Sequence, residues 1–133
     1  MKIINLTDHL AVSAQPTPAD MATLAADGYQ TVICNRPDGE TDGQPTMADM
    51  EAAATAAGLR FVRYPVNATT FPGAAPADMA AEFDNQEKTL AYCRTGTRCT
   101  NLWVVTRSEE QRGEAEAKAL ALGFELSLAN QAR

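Results

Sequence analysis

Histidine and cysteine are scarce in this chain, which has one histidine, His9, and three cysteines, Cys34, Cys93 and Cys99. No Cys-x-x-Cys pair occurs, so the spacing typical of metal ligands is missing, and we expect no metal and no other cofactor. An odd cysteine count also argues against a framework of disulfides. His9 lies in a predicted turn, where we interpret it as a surface residue rather than a catalytic base.

Long apolar runs and an excess of positive charge are lacking as well. No stretch approaches the roughly eighteen apolar residues that a transmembrane helix needs, and the N-terminus has no basic segment followed by an apolar one. The formal net charge of −6 argues against nucleic acid or an anionic membrane as a partner. We therefore expect a cytoplasmic protein that attracts any anionic substrate through a local cluster of positive charge.

The remaining composition predicts one domain over residues 1–133, because 45% apolar content is enough for one core. Short apolar strands alternate with helical patterns, which predicts an α/β fold with a mainly parallel central sheet and helices on both faces. The predicted strands are Lys2–Asn5, Leu10–Ser13, Gln30–Asn35, Arg60–Val66 and the run that ends at Cys93. The predicted helices begin at Thr17 and Cys99 and cover Thr46–Ala57, Ala77–Glu87 and Glu109–Leu122.

The sequence Leu90–Arg98 is the stretch with the clearest chemistry, since an apolar run ends there in a cysteine, a polar loop and a helix. Backbone N–H groups in such a loop, together with the helix dipole, favour negative charge. We expect them, with Arg94 and Arg98, to stabilise the Cys93 thiolate, which is the nucleophilic form of cysteine. Gly96 suits a loop that folds its amides around an anion. The alternative is a buried structural cysteine at a strand end.

Parallel sheets bind ligands beyond the carboxyl ends of their strands. That rule brings three predicted loops together: the one after Cys34, the one after Val66 and the cysteine loop. The residues expected to line the pocket, and so to bind anion or substrate, are Asn35, Arg36, Asp38, Asn67, Thr69 and the loop residues Arg94, Thr95, Gly96 and Thr97.

The loop Cys93-Arg94-Thr95-Gly96-Thr97-Arg98 resembles the active-site loop of rhodanese sulfurtransferases, C-R-x-G-x-[R/T]. It is also similar to the cysteine loop of protein tyrosine phosphatases, in which five residues separate the cysteine from the arginine. Four residues intervene here, and Cys99 occupies the position of the phosphatase arginine.

Val32–Glu40 and Tyr64–Val66, taken with the cysteine loop, resemble the phosphatase-like domain of the beta-lactamase hydrolase-like proteins over about residues 1–123. This resemblance implies a tyrosine-phosphatase-like fold. It also implies a persulfide dioxygenase as a partner, either fused to the domain or encoded beside it. Members of the family have been called both phosphatases and sulfurtransferases, so the resemblance leaves the reaction open.

Two reactions and one non-enzymatic role remain. We place sulfur transfer first: Cys93 takes sulfane sulfur from thiosulfate or glutathione persulfide, forms a persulfide and needs no general acid. Hydrolysis of a phosphoester through a phosphocysteine comes second, because the loop Val66–Phe71 has no carboxylate to protonate the leaving group. Asp38 could supply that proton, as could Asp78 or Asp84 from a helix. A redox-sensing or binding module is third.

Several residues keep two interpretations. Arg98 either binds the substrate anion as a catalytic residue or holds the loop by bonding its carbonyls, and Arg94 is expected to point outward. Cys99 either resolves an oxidised or persulfidated Cys93 as a disulfide or is a small core residue on the first turn of the helix. Asp38 and Glu40 either shape a turn and pair with an arginine or act as catalysts.

Overall fold

The computed structural model describes residues 1–132. Its strands are β1 (Ile3–Asn5), β2 (Leu10–Ser13), β3 (Thr31–Cys34), β4 (Arg60–Arg63) and β5 (Thr89–Tyr92). Its helices are α1 (Asp20–Ala26), α2 (Met47–Ala56), α3 (Pro76–Asp84), α4 (Thr97–Val105), α5 (Glu109–Ala121) and α6 (Ser127–Gln131).

The five strands form one sheet in the order β1-β2-β5-β3-β4. β1 pairs with β2 antiparallel, and the other three pairings are parallel. The prediction of an α/β fold with a mainly parallel sheet is therefore confirmed. β5 lies at the centre, between β2 and β3, so the segment that follows it leaves from the middle of the sheet.

Alternate residues of the central strands face two separate apolar layers, as a period of two residues requires. Val12, Ile33 and Ala91 face the layer that α3, α4, α5 and α6 cover. Val32 and Leu90 face the layer that α1 and α2 cover. β2, β3 and β5 are buried along their whole length, because helices lie on both faces of the sheet.

Several predicted boundaries differ from the structure. α1 begins at Asp20 rather than beside Thr17, since the Asp20 carboxylate accepts the Thr17 N–H at 2.8 Å and closes a turn there. β4 ends at Arg63 and α3 ends at Asp84, and both are therefore shorter than predicted. α4 begins at Thr97, which places Arg98 and Cys99 together in its first turn.

The C-terminal segment forms α6, which lies beyond the last helix predicted from the sequence. Asn101 holds it against α4 from a fully buried position. Its amide donates to the Glu125 carbonyl at 2.9 Å, and its side-chain oxygen accepts the Ala129 N–H at 2.9 Å. Across residues 1–132, each helix is too short or too polar to cross a membrane.

Candidate active site

The register of the sheet brings the carboxyl ends of three strands to one edge. Ser13 of β2 and Cys34 of β3 both lie opposite Tyr92, the last residue of β5. The next residue, Cys93, donates its N–H to the Ser13 carbonyl at 3.4 Å. The candidate nucleophile thus follows directly on the central strand, where the surrounding sheet fixes its backbone.

Gly96 turns the chain from the cysteine loop into α4. Its φ of +89° lies in the left-handed region, which a residue without Cβ enters at no steric cost. A Cβ at this position would lie 3.5 Å from the Ser13 carbonyl carbon and 3.7 Å from the Phe124 ring. In this conformation the Gly96 N–H donates to Cys93 Sγ at 3.1 Å. The expected anion-stabilising loop is therefore present around the sulfur.

Hydrogen bonds to the Cys93 sulfur lower the pKa of this thiol to about 6. The largest contribution is a hydrogen bond from the Cys99 thiol, and the backbone N–H groups of Cys99, Thr95 and Gly96 add to it. Burial opposes them, because it disfavours the charged form. At neutral pH the sulfur is therefore mainly thiolate. We had expected the backbone N–H groups of the loop, together with Arg94 and Arg98, to stabilise this charge, and hydrogen bonds from Cys99 and from the backbone are the leading causes.

Cys99 was not identified in the sequence as a donor to the nucleophile. It is fully buried in the first turn of α4, and burial raises the pKa of its thiol well above the ordinary range. It therefore stays protonated and donates its proton toward Cys93. Its place immediately after Arg98, at the start of the helix, is the sequence signal that could have indicated this role.

The side chain of Arg98 extends from the first turn of α4 toward the loop after β3 and the segment after β4. Its Nη1 donates to the Val66 carbonyl at 2.8 Å and to Glu40 Oε2 at 3.0 Å, and its Nη2 donates to Glu40 Oε1 at 3.3 Å. The carbonyl that it bonds thus belongs to the segment after β4 and not to the cysteine loop. Arg98 links all three loops at this edge of the sheet.

Arg36 is 4% exposed and directs its guanidinium group into the loop between β3 and α2. Its Nε donates to Glu40 Oε1 at 3.0 Å, and its two Nη atoms donate to Gln15 at 3.1 Å and to Thr41 at 3.2 Å. We predicted that Arg36 binds the anion. That role stays a prediction, while its contacts hold Glu40 in place, and the contact with Gln15 was not anticipated.

Asp38 and Asn67, both predicted to contact substrate, organise their own segments. The Asp38 carboxylate accepts the Met47 N–H at 2.8 Å, at the start of α2. Asn67 Oδ1 accepts the N–H groups of Thr69 and Thr70, each at 2.9 Å. The loops that contain Asp38 and Asn67 both follow strands that end at the same edge of the sheet as β5. The two side chains, however, form their hydrogen bonds with backbone N–H groups of their own segments.

Arg94 and Thr95 are exposed at the outer side of the cysteine loop, so Arg94 lies outward as expected. The Thr95 hydroxyl donates to Thr97 Oγ1 at 3.1 Å, which ties the loop to the first residue of α4. Contact of Arg94, Thr95 or Thr97 with substrate stays a prediction.

The other carboxylates considered as catalysts are Glu40, Asp84 and Asp78. Glu40 lies between two arginines, which hold the pKa of its carboxyl below the ordinary range despite burial. Asp84 forms an ion pair with Arg107, and Asp78 is exposed on the first turn of α3. In the part of the chain that the structure describes, we find no cluster of three His, Cys, Asp or Glu side chains that could hold a metal ion.

The chain matches the family model of the beta-lactamase hydrolase-like protein, phosphatase-like domain, over residues 2–110. The beta-lactamase hydrolase-like protein of Xylella fastidiosa strain Temecula1 is 35% identical, and the alignment covers 97% of this chain and 31% of that protein. The protein of the same name from Agrobacterium fabrum is 32% identical, with 98% and 31% covered. The chain therefore spans about a third of the length of these curated relatives.

Among solved structures, a candidate phosphatase from Neisseria meningitidis superposes with a TM-score of 0.80 at 35% identity, over 99% of this chain and 96% of that one. P. aeruginosa TpbA, in complex with pTyr, superposes with a TM-score of 0.69 at 17% identity, over 97% and 80% of the two chains, and so shows the fold alone.

These comparisons confirm the resemblance and the phosphatase-like, cysteine-based fold. They favour the phosphatase alternative over the sulfur-transfer interpretation that we placed first, because the matching family model and the 35% identical structure from Neisseria meningitidis are both described as phosphatases or phosphatase-like. The match over residues 2–110 and the identities of 35% and 32% over nearly the whole chain lead to one assignment. The chain belongs to the family of phosphatase-like domains found in beta-lactamase hydrolase-like proteins.

Proposed function

We propose that this chain is a cysteine-dependent phosphohydrolase in which Cys93 is the nucleophile. The observation that carries the proposal is the environment of the Cys93 sulfur. This sulfur accepts the Gly96 N–H at 3.1 Å, and hydrogen bonds lower the pKa of the Cys93 thiol to about 6. A thiolate at this pKa is populated at neutral pH without a separate base. Membership of a phosphatase-like family supports the same reaction.

In the proposed reaction the Cys93 thiolate attacks phosphorus, the P–O bond to the leaving group breaks, and a phosphocysteine forms. Water then attacks phosphorus, the S–P bond breaks, and phosphate leaves while the thiolate is restored. The backbone N–H groups of Thr95 and Gly96 are suited to stabilise charge on the transferred group. We assign Arg98, which Glu40 and the Val66 carbonyl hold at the edge of the loop, to the guanidinium contact with that charge.

The partners of Asp38 and Glu40 limit which leaving groups the substrate can have, because neither carboxylate is free to donate a proton. General acid catalysis contributes about a hundred- to ten-thousand-fold to such reactions, and Asp38 and Glu40 are engaged with Met47 N–H and with two arginines. We therefore expect esters whose leaving groups are weak bases, of which aryl phosphates are the simplest. A fold neighbour bound to pTyr supports this class.

A second candidate is sulfur transfer, and the length of the loop favours it. Only four residues separate Cys93 from Arg98, and a loop shortened by one residue encloses a single sulfur atom more readily than a phosphoryl group. The thiolate would attack the outer sulfur of thiosulfate or glutathione persulfide, and sulfite or a thiolate would leave. Both leaving groups are weak bases, so the occupied carboxylates would not slow this reaction. A persulfide dioxygenase partner belongs to this candidate.

Two further proposals accompany the reaction. We propose that residues 1–133 act as one catalytic domain, which the single sheet and its two apolar layers support. We also propose a cytoplasmic location, which the three free cysteines support because reducing compartments keep thiols unpaired.

Parallel assays on the reduced protein separate the two reactions. One measures phosphate release from p-nitrophenyl phosphate, and the other measures intact mass after incubation with thiosulfate. Cys93→Ser is the inactive variant and Cys34→Ser is the control for loss of a buried cysteine elsewhere. Phosphate release that requires Cys93 supports the main proposal. A gain of one sulfur that requires Cys93, without phosphate release, would replace it with sulfur transfer.

A further inference from the structure

Asn35 lies directly after β3 and is fully buried, at the edge of the sheet where the cysteine loop begins. Its backbone N–H donates to the carbonyl of Tyr92, the last residue of β5, at 2.9 Å. Its backbone carbonyl accepts the Val66 N–H at 3.1 Å, and its side-chain Nδ2 donates to the Tyr64 carbonyl at 3.0 Å. Asn35 therefore joins the strand that carries the nucleophile to the segment that follows β4.

The segment Tyr64–Val66 follows the end of β4 and has Pro65 in its middle. Proline has no backbone N–H, so this residue cannot donate a hydrogen bond to its neighbours. The Tyr64 carbonyl and the Val66 N–H belong to the two peptide groups that flank the proline, and Asn35 bonds both of them. These two bonds fix the backbone on either side of Pro65, and with it the fully buried Val66.

The Val66 carbonyl is one of two acceptors that hold the guanidinium group of Arg98. It accepts Nη1 of Arg98 at 2.8 Å, and the Glu40 carboxylate accepts from the same guanidinium group at 3.0 and 3.3 Å. A guanidinium group presents its donors in a rigid fork, so two acceptors on different loops fix both its position and its direction. A displacement of Val66 would therefore displace or turn this group at the edge of the cysteine loop.

We propose that Asn35 is a positioning residue for the anion site, which acts through Val66 to hold the Arg98 guanidinium group at the edge of the cysteine loop. The inference rests on the contact of Arg98 with the transferred group in the proposed function, and it assigns Asn35 no contact with the reacting atoms. Asn35 acts on the Val66 carbonyl, and so on a different acceptor of Arg98 from Glu40.

The side chain of Asn35 can be replaced without loss of any other side-chain hydrogen bond. Its Oδ1 is buried and accepts no hydrogen bond from residues 1–132, so the donation from Nδ2 to the Tyr64 carbonyl is the contact that a substitution removes. Asn35→Ala removes the amide and leaves both backbone hydrogen bonds of this residue. Asn35→Leu does the same with a side chain of similar volume, and so repeats the test where the alanine variant folds poorly.

Thr31→Val is the matched control. Thr31 is a fully buried polar residue at the other end of β3, and its hydroxyl donates to Glu87 at 2.7 Å. The three substitutions are made in the wild-type protein and in Arg98→Ala, which gives a double-mutant cycle for each. Thermal unfolding identifies a temperature at which all of these proteins are folded.

Protection of Cys93 by inorganic phosphate measures anion binding at the loop without any turnover. The rate at which iodoacetamide alkylates Cys93 is followed by the mass of the tryptic peptide Thr89–Arg94. The quantity compared between variants is the phosphate concentration that halves this rate. Hydrolysis of p-nitrophenyl phosphate is measured on the same proteins.

We expect Asn35→Ala and Asn35→Leu to raise the half-protection concentration about 3- to 30-fold, as is typical of the loss of coupling between neighbouring groups. In Arg98→Ala the same changes should raise it less than about twofold, because the guanidinium group that Asn35 positions is gone. Thr31→Val should leave it unchanged in both backgrounds. The pH dependence of alkylation in the absence of phosphate should stay that of the wild-type protein, since Asn35 forms no bond to the sulfur.

Equal effects of the Asn35 substitutions with and without Arg98 would overturn the inference, because Asn35 would then act by another route. An unchanged half-protection concentration in both Asn35 variants, or a wild-type protein that phosphate does not protect, would overturn it as well. Failure of the proposed function gives a different result. In that case phosphate protects and the effect of Asn35 requires Arg98, which supports the inference, but p-nitrophenyl phosphate is not hydrolysed.

Discussion

The carboxylate of Glu40 lies between two guanidinium groups, accepting from Arg98 at 3.0 Å and from Arg36 at 3.0 Å. Arg36 is buried, and the side chain of Arg98 is 17% exposed. The three charged groups therefore form a chain from the interior, at Arg36, to the edge of the cysteine loop, at Arg98. Arg36 donates to the Glu40 carboxylate from the interior, and this carboxylate in turn accepts from Arg98 in the first turn of α4.

The first prediction concerns this carboxylate. Glu40→Gln should lower kcat/KM for an aryl phosphate by about 10- to 100-fold, since hydrogen bonds to charged groups contribute about 1.5–3 kcal/mol. The loss should appear mainly in KM, because Arg98 would no longer be held toward the anion. The pH dependence of Cys93 alkylation should stay unchanged.

Glu51→Gln is the matched control, since Glu51 pairs with Arg63 in an exposed salt bridge that includes neither Glu40 nor Arg98. Exposed pairs contribute little, so its kcat/KM should equal that of the wild-type protein. Equal activity in Glu40→Gln and the wild-type protein would show that Arg98 does not depend on Glu40.

A second prediction follows from the lowered pKa of Cys93. Because the thiolate is the reactive form, the rate of alkylation by iodoacetamide should rise with pH, with a midpoint of about 6, and should level off above neutral pH. Cys99→Ala removes the largest contribution and should move the midpoint up, toward the ordinary thiol value of about 8.5. Cys99→Ser keeps a hydroxyl donor and should move it less. A midpoint that is the same in all three proteins would show that Cys99 does not stabilise the thiolate.

Gly96 provides a third prediction. Gly96→Ala should cost about 1–2 kcal/mol of stability, because L residues are strained at positive φ, and it should also raise the pKa of Cys93 by turning the Gly96 N–H away from the sulfur. Gly28→Ala is the control: Gly28 has a φ of +92° with open space around it, at the end of α1. It should lose similar stability in thermal unfolding while the alkylation midpoint stays at about 6. Unchanged alkylation in both variants would argue against the role of the Gly96 amide.

The fourth prediction tests the leaving group. Asp38 holds the Met47 N–H, so Asp38→Ala should cost about 0.5–2 kcal/mol of stability, as loss of a helix-start hydrogen bond does. Its kcat at a temperature where the protein is folded should change less than about twofold, since no proton transfer is lost. For the wild-type protein, rates should fall steeply as the leaving-group pKa rises across a series of aryl phosphates. A flat dependence together with a large loss in Asp38→Ala would identify Asp38 as the general acid.

Much of the fold could be predicted from the sequence because its signals are local. β3 and β5 are short apolar runs bounded by polar turns. Such runs are typical of strands that are buried on both faces of a sheet, and both strands are buried at every residue. Gly28 and Gly123, the residues that favour a positive φ and so the end of a helix, both adopt it directly after α1 and α5. The cysteine loop was identifiable since its cysteine, arginines and glycine occur within six residues.

The remaining features depend on contacts between distant residues. Glu40 and Arg98 are 58 positions apart, and the sequence does not indicate which arginine a given carboxylate meets. The start of α1 was misplaced because Thr17 and Asp20 are both good capping residues, and the direction of their hydrogen bond decides between them. α6 was not predicted because Asn101, on another helix, supplies the bonds that hold it.

The most direct test of the account is the mass of the enzyme intermediate. The wild-type protein is mixed with p-nitrophenyl phosphate, quenched with acid on the millisecond scale and digested with trypsin. We predict that the peptide Thr89–Arg94 gains one phosphoryl group, on Cys93, and that Cys93→Ser releases no phosphate. Phosphate release by the wild-type protein with this peptide unmodified at every time, or undiminished release by Cys93→Ser, would contradict the assignment of Cys93 as the nucleophile.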